Sequence, residues 1–133
     1  MHLRTMLSVR DLPGSIRFYR SALGFELVES LGQVEKPTWA YVKKGTAELM
    51  LTEGSGPSFR GSESSPPNGG IFLYFYPASL AELEQLHADL SSKSHPVSAL
   101  ETTFYGHRLF TLRDPDGYVL SFGVLINPDL WPG

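Results

Sequence analysis

The chain has 133 residues, 41% hydrophobic and 19% charged, with 11 basic against 14 acidic residues, a net charge of −3 and no cysteine. That length fits one domain burying about two thirds of its unfolded surface, while the mild charge argues against nucleic acid or an anionic membrane, and the missing cysteines exclude disulfides, thiolate nucleophiles and Cys-bound zinc. No apolar run approaches the ~20 residues that span a bilayer and the N-terminus lacks a signal-peptide layout, so a cytoplasmic protein is expected.

In chain order, residues 3–9 alternate as a strand, with Leu3, Thr5, Leu7 and Val9 on one face and His2, Arg4, Met6 and Ser8 on the other. Asp11 offers a helix N-cap and Pro13 sits in the tolerated first turn, after which Ile16, Tyr19 and Leu23 recur at helical spacing. Gly24 is the expected left-handed close of that helix. Residues 25–30 read as a short strand, and residues 38–43 and 47–53 as a hairpin around Lys44, Gly45 and Thr46. Residues 54–70, dense in Gly, Ser and Pro, hold no packed element and read as a linker or lid loop.

The pattern then repeats. Residues 71–76 form a strand with Ile71, Leu73 and Phe75 on one face and Phe72, Tyr74 and Tyr76 on the other. Ser79 and Glu82 have capping-box spacing ahead of Leu83, Leu86 and Leu90, and residues 97–100 suggest a short strand. Residues 108–112 and 118–123 read as strands joined by Asp114-Pro115-Asp116-Gly117. There Pro115 pre-sets φ, Asp114 can accept from the backbone two residues on, and Gly117 takes a conformation that other residues resist.

Each half therefore reads strand, helix, three strands. The fold class is α+β: tandem βαβββ modules at residues 1–53 and 71–126, linked by 54–70 within a single domain, 1–126, with a C-terminal tail at 127–133. Two such units side by side give a curved mixed sheet with helices on one face and an open cleft on the other. Function is to be sought on the face opposite the helices.

With Val9-Arg10-Asp11-Leu12 leading into Phe18-Tyr19 and Leu23-Gly24-Phe25, then Glu48-Leu49-Met50-Leu51, Tyr105-Gly106-His107-Arg108-Leu109-Phe110 and Asp114-Pro115-Asp116-Gly117-Tyr118, the chain resembles the glyoxalase/bleomycin-resistance/extradiol-dioxygenase (vicinal oxygen chelate) superfamily over nearly its whole length. The Glu-Leu-Met-Leu and Tyr-Gly-x-Arg-x-Phe forms are most similar to bleomycin-resistance-type members. Metal-using members of that family place four His or Glu ligands at positions that correspond here to Arg4, Met50, Gly70 and Ser121. Arg keeps its proton, Met is a soft ligand, Gly has no side chain and Ser offers only a weak oxygen, so the resemblance implies no metal and no cofactor in this chain. A displaced site using His2 and Glu48, two residues before Arg4 and Met50 and of the same facing, is the alternative.

The residues expected to bind ligand are Arg4, Trp39, Tyr41, Glu48, Met50, Phe72, Tyr74, Arg108 and Ser121. Rings, a Met and a few polar groups in one cleft suit a flat or aromatic organic molecule. For Met6 and Val119 simple core filling is the favoured reading. Arg4 and Glu48 either hold an anionic ligand group through the guanidinium or satisfy each other as a salt bridge, the second being favoured. Arg108 is also read as a strand-to-loop contact, His107 lacks an evident nucleophile or orienting partner, and Asp114 and Asp116 are read as turn formers. The expected function is metal-independent sequestration of a small molecule rather than catalysis. The alternative is a metal-dependent lyase, isomerase or dioxygenase. The resemblance further implies a homodimer, with no nucleic-acid or membrane partner.

Overall fold

The computed structural model describes residues 1–54 and 71–130, arranged as two compact units. The first comprises Met1–Asn68 with Asp114–Gly117, and the second Gly69–Arg113 with Tyr118–Gly133. The 54–70 linker falls outside the described residues from position 55 on, and the end of the tail does so from position 131.

In the first unit, β1 (Thr5–Val9) leads through α1 (Leu12–Arg17) and a π-helical turn (Phe18–Ala22) into β2 (Glu26–Gly32), β3 (Pro37–Lys44) and β4 (Ala47–Glu53). Asp11 is extended, at φ −130° and ψ 91°, and its carboxylate accepts from Gly14 N–H at 3.1 Å, which starts the helix as expected. The wider π turn carries Tyr19 inward, where its ring meets Phe18 and Phe25 edge-on at 5.2 and 5.6 Å. Gly24 ends the segment at φ +76°, a conformation open to glycine at no steric cost.

The sheet order is β1-β4-β3-β2, with β1 and β4 parallel and the other pairs antiparallel. Leu7, Val9, Ala40, Val42, Leu49 and Leu51 share the face against which α1 packs, and all are buried.

The second unit repeats this plan. β5 (Phe72–Phe75), α2 (Leu80–Ser92), β6 (Glu101–Thr102), β7 (His107–Arg113) and β8 (Val119–Leu125) give a sheet ordered β5-β8-β7-β6. Again the outer pair β5/β8 is parallel and the rest antiparallel. Ser79 Oγ accepts from Glu82 N–H at 3.1 Å, and the Glu82 carboxylate returns to Ala78 N–H at 2.7 Å, so the capping box closes one residue earlier than its standard form. Leu83 and Leu90 of α2 are fully buried. Phe110 and Phe122 stack on the helix side of the sheet at 5.2 Å.

The strand expected at residues 97–100 is displaced: β6 is Glu101–Thr102. Ser98 N–H does reach Thr111 C=O at 2.9 Å, but Thr111 N–H turns to the Ser98 hydroxyl at 2.8 Å. A side chain has taken the place of the backbone carbonyl, and the ladder is broken there.

The Asp-Pro-Asp-Gly turn forms as read. Asp114 accepts from Asp116 N–H at 2.9 Å, Gly117 N–H bonds Asp114 C=O at 3.0 Å, and Gly117 stands at φ +86°. The two carboxylates do more than shape it. Asp114 accepts from the Tyr19 hydroxyl at 2.8 Å, and Asp116 accepts from Arg10 N–H at 2.9 Å and Ser15 Oγ at 3.4 Å. Each is 5% exposed, so the turn is a buried polar anchor for the start of α1 and its π turn.

Candidate functional site

Residues paired across neighbouring strands share a face, so the register assigns each side chain to the helix side or the open side. In the first unit Met6, Met50 and Tyr41 form one row and Trp39 pairs with Thr52, all opposite the core residues. Met6 is 55% exposed, so the core-filling role expected for it is not what the fold gives. Its strand is the sheet edge, and only the alternate residues Leu7 and Val9 reach the helix side.

The polar centre of this face is Glu48. Its Oε1 accepts from the Tyr41 hydroxyl at 2.6 Å, its Oε2 lies 3.0 Å from His2 Nε2, and Arg4 Nε stands 3.6 Å from the same oxygen. The Arg4 guanidinium also lies over the Tyr41 ring, 5.2 Å from its centre. The hydrogen bonds from Tyr41 and then His2, helped by the Arg4 charge, hold the Glu48 carboxyl below its ordinary range, although desolvation opposes them. The same hydrogen bond to Glu48 raises the Tyr41 phenol. Arg4, Tyr41 and Glu48 are thus brought into contact, with Met50 and Trp39 on the same face.

In the second unit Phe72 pairs with Val119, and Tyr74 pairs with Ser121, which pairs in turn with Thr111. Phe72 is 61% and Tyr74 39% exposed, whereas Val119 is buried, as read. The Tyr74 and Tyr105 hydroxyls are 2.8 Å apart. Tyr74 stacks on Tyr76 at 6.1 Å, Tyr76 meets His107 at 6.0 Å, and His107 meets Tyr105 at 5.0 Å, so four rings close a circuit. The hydrogen bond with Tyr105, then burial, push the Tyr74 phenol up to about 12, and the Ser121 hydroxyl works in the opposite sense. Tyr74 is therefore a neutral hydroxyl at any physiological pH.

Arg108 does not join this group. It pairs with Val124 on the helix side of β7 and donates to Thr102 Oγ1 of β6 at 3.2 Å, a cross-strand contact where a strand-to-loop contact or a cleft role was expected. Tyr105 was not among the residues expected to bind. It lies in the turn before β7, where no periodicity assigns a facing, and only its place in the Tyr-Gly-His-Arg run marked it. On α2, His87 places its Nε2 2.9 Å from Ser98 C=O and its ring edge-on to Phe110.

The donor set does not fit a metal. Arg4 places a permanent cation beside Glu48, both Glu48 oxygens are engaged, and Met50 presents a thioether. Ser121, 1% exposed, turns its hydroxyl to Tyr74, and Gly70 lies outside the described residues. Among the described residues, no three His, Cys, Asp or Glu side chains converge. Among those residues, too, no helix is long and apolar enough to cross a membrane.

Residues 2–122 match the model of the family described as Glyoxalase/Bleomycin resistance protein/Dioxygenase superfamily. No curated protein matches the chain. Among solved structures, lactoylglutathione lyase from Agrobacterium tumefaciens is 24% identical over 99% of this chain and 96% of its own, with a TM-score of 0.72. TnmS3, an antibiotic binding protein from Streptomyces sp. CB03234, is 22% identical over 94% of this chain and 96% of its own, with a TM-score of 0.69. TioX from Micromonospora sp. ML1 is 16% identical over 93% of this chain and 95% of its own, at 0.71. At these identities the likeness is one of fold.

Proposed function

Because the chain belongs to the glyoxalase/bleomycin resistance protein/dioxygenase superfamily, we propose that it binds a small, flat or aromatic organic molecule without a metal and acts by sequestration. The observation that carries this reading is the exposure of rings on the open side of the sheets. A soluble domain gains nothing in stability from leaving Phe72 61% exposed beside Tyr74 and Tyr76, and a ligand ring laid on them removes that apolar area from water. Polar groups lie beside the rings to fix orientation: the Glu48 cluster in one unit and the paired phenols of Tyr74 and Tyr105 in the other. That TnmS3, of similar fold, is described as antibiotic binding is consistent with this use. We extend the reading to a cytoplasmic homodimer, of which the dimer is tested by size-exclusion chromatography with light scattering.

The test is thermal stabilisation of the purified protein across a panel of aromatic and glycopeptide compounds. A ligand at 100 times its Kd raises stability by about 2.7 kcal/mol. A compound that raises the melting temperature, with the gain lost on Phe72→Ala or Trp39→Ala, supports the reading. A panel without effect sinks it. The metal-dependent alternative rests on the 3.0 Å approach of His2 to Glu48, two possible donors side by side. Stoichiometric Zn, Mn or Fe in the purified protein, lost on Glu48→Ala, would replace sequestration with metal chemistry.

A further inference from the structure

The Arg4–Glu48 salt bridge that the sequence favoured forms, but it engages only one edge of the guanidinium. An Arg–carboxylate pair that satisfies itself is bidentate, with two parallel N–H···O bonds at about 2.7–2.9 Å. Here the approach is through Nε alone, at 3.6 Å, beyond hydrogen-bond length. Glu48 has its hydrogen bonds from elsewhere, Tyr41 on one oxygen and His2 on the other. Among the described residues, the Arg4 guanidinium makes no side-chain hydrogen bond. It is held by a face-on ring, with Tyr41 at 5.2 Å, and by the nearby carboxylate, while the side chain stays 50% exposed.

A guanidinium so held keeps its pair of terminal N–H groups for an outside partner. The planar fork matches two oxygens of one anion, and because Tyr41 and Glu48 already restrict the side chain, little rotamer freedom is lost when such a partner arrives. Next to it on the same face are apolar neighbours. Tyr41 pairs with Met50, Met50 with Met6, and Trp39 stands two residues along β3, about 7 Å away at strand spacing. That is the reach of a fused aromatic ring carrying a charged substituent.

From this we infer that the first-unit face selects aromatic ligands bearing an oxyanion such as a carboxylate, with Arg4 as the anion-binding residue and Met6, Met50 and Trp39 as the ring-binding surface. The inference rests on the small-molecule-binding reading above and narrows its ligand class. Glu48 does not oppose the anion in kind: its oxygens accept from Tyr41 and His2, and its charge is offset by the Nε edge of Arg4, the edge not used for the ligand. Nor does the site call for a permanent cation on the ligand, since both Glu48 oxygens already have donors.

Isothermal titration with 2-naphthoate, 2-naphthamide and 2-naphthylmethylammonium tests this, because the ring is constant and only the charge changes. Naphthoate is expected to bind the native protein about tenfold or more tighter than the amide, the scale of a charge-assisted hydrogen-bonded pair. Arg4→Met keeps a long side chain over Tyr41 and should abolish the preference, bringing naphthoate and the amide to equal affinity. Arg4→Lys, which keeps charge without the fork, should recover only part of the difference. Arg4 precedes β1 and is half exposed, so these variants are expected to melt with the native protein, which a thermal scan checks.

Equal affinity for acid and amide, or a naphthoate affinity untouched by Arg4→Met, overturns the anion assignment and leaves the broader binding reading in place. Tightest binding of the ammonium probe assigns the cluster to Glu48 instead and overturns it equally. If a compound from the thermal panel binds while naphthoate does not, the anion inference alone has failed. If nothing in either set binds, the parent reading has failed with it.

Discussion

In the first unit the open face is centred on a carboxylate, Glu48, held by Tyr41, His2 and Arg4; in the second it is centred on two hydrogen-bonded phenols, Tyr74 and Tyr105, within a circuit of rings. The backbones beneath them are the same construction, with strand orders β1-β4-β3-β2 and β5-β8-β7-β6 and one parallel pair in each. The helix-side residues are interchangeable in kind: Leu49 and Leu51 in one, Leu120 and Phe122 in the other. One parity of each strand thus specifies the fold. The other parity holds the polar clusters, with Met6, Phe72 and Tyr74 exposed and Val119 and Ser121 buried.

If that division is right, core truncation should be costly in both units and indifferent to the faces. Phe110→Ala is expected to destabilise by about 3–5 kcal/mol and Leu51→Ala by about 2–5 kcal/mol in urea unfolding. Both residues are fully buried. A cost below about 1 kcal/mol for either would mean that its parity has been assigned to the wrong side.

A second asymmetry is the Asp114–Gly117 turn, which belongs to the first unit although the strands flanking it belong to the second. Two buried carboxylates anchor α1, and the described residues of the second unit contain no buried carboxylate. Asp114→Ala removes the acceptor of the Tyr19 hydroxyl and of Asp116 N–H, a loss of about 1–3 kcal/mol. Hydrogen exchange should show the lost protection in the amides of α1 and its π turn first. Uniform loss through α2 as well would show that the turn is not specific to the first unit.

The turn also marks how far the sequence could be read. Its shape followed from Pro115, Asp114 and Gly117, because turn chemistry is local. That Asp114 would meet Tyr19, 95 positions earlier in the chain, did not, because no periodicity encodes a partner at such separation. Strand facing was legible wherever alternation was strong, which is why Arg4, Tyr41, Glu48 and Met50 fall together. It failed at Arg108: the residue was chosen from a motif, and parity counted from Ser121 through its partner Thr111 already places it on the helix side. The shift of the third strand of the second unit to Glu101–Thr102 turned on one Ser98 hydroxyl competing with a backbone carbonyl, a contest that composition does not decide.

The phenol-centred face yields a titration. Tyr74 is raised to about 12, chiefly by its hydrogen bond with Tyr105 and then by burial. A phenol whose folded value is raised contributes stability that is complete below its unfolded value, near 10, and is lost as the pH climbs through the folded value. Absorbance titration at alkaline pH should therefore include a step for Tyr74 well after the exposed tyrosines, identified as the part of the late absorbance that Tyr105→Phe changes. In Tyr105→Phe that late step should move back toward 10. A late step unmoved by the substitution would assign the shift to burial.

The carboxylate-centred face should give the smallest effect and the opposite sign. The Glu48 carboxyl is held below its ordinary value, first by the hydrogen bond from Tyr41 and then by that from His2. A depressed carboxyl contributes stability above its unfolded value and loses it as the pH falls through the lowered folded value. The cluster is open to solvent, so screening keeps that contribution slight. Melting temperatures of the native protein and Glu48→Gln should therefore coincide in acid and separate a little at neutral pH, with the native protein higher. Tyr41→Phe should raise the Glu48 value toward the ordinary carboxylate range in a carboxyl-carbon NMR titration, whereas removing His2 should raise it less. The reverse ranking would place the dominant donor at His2 instead of Tyr41.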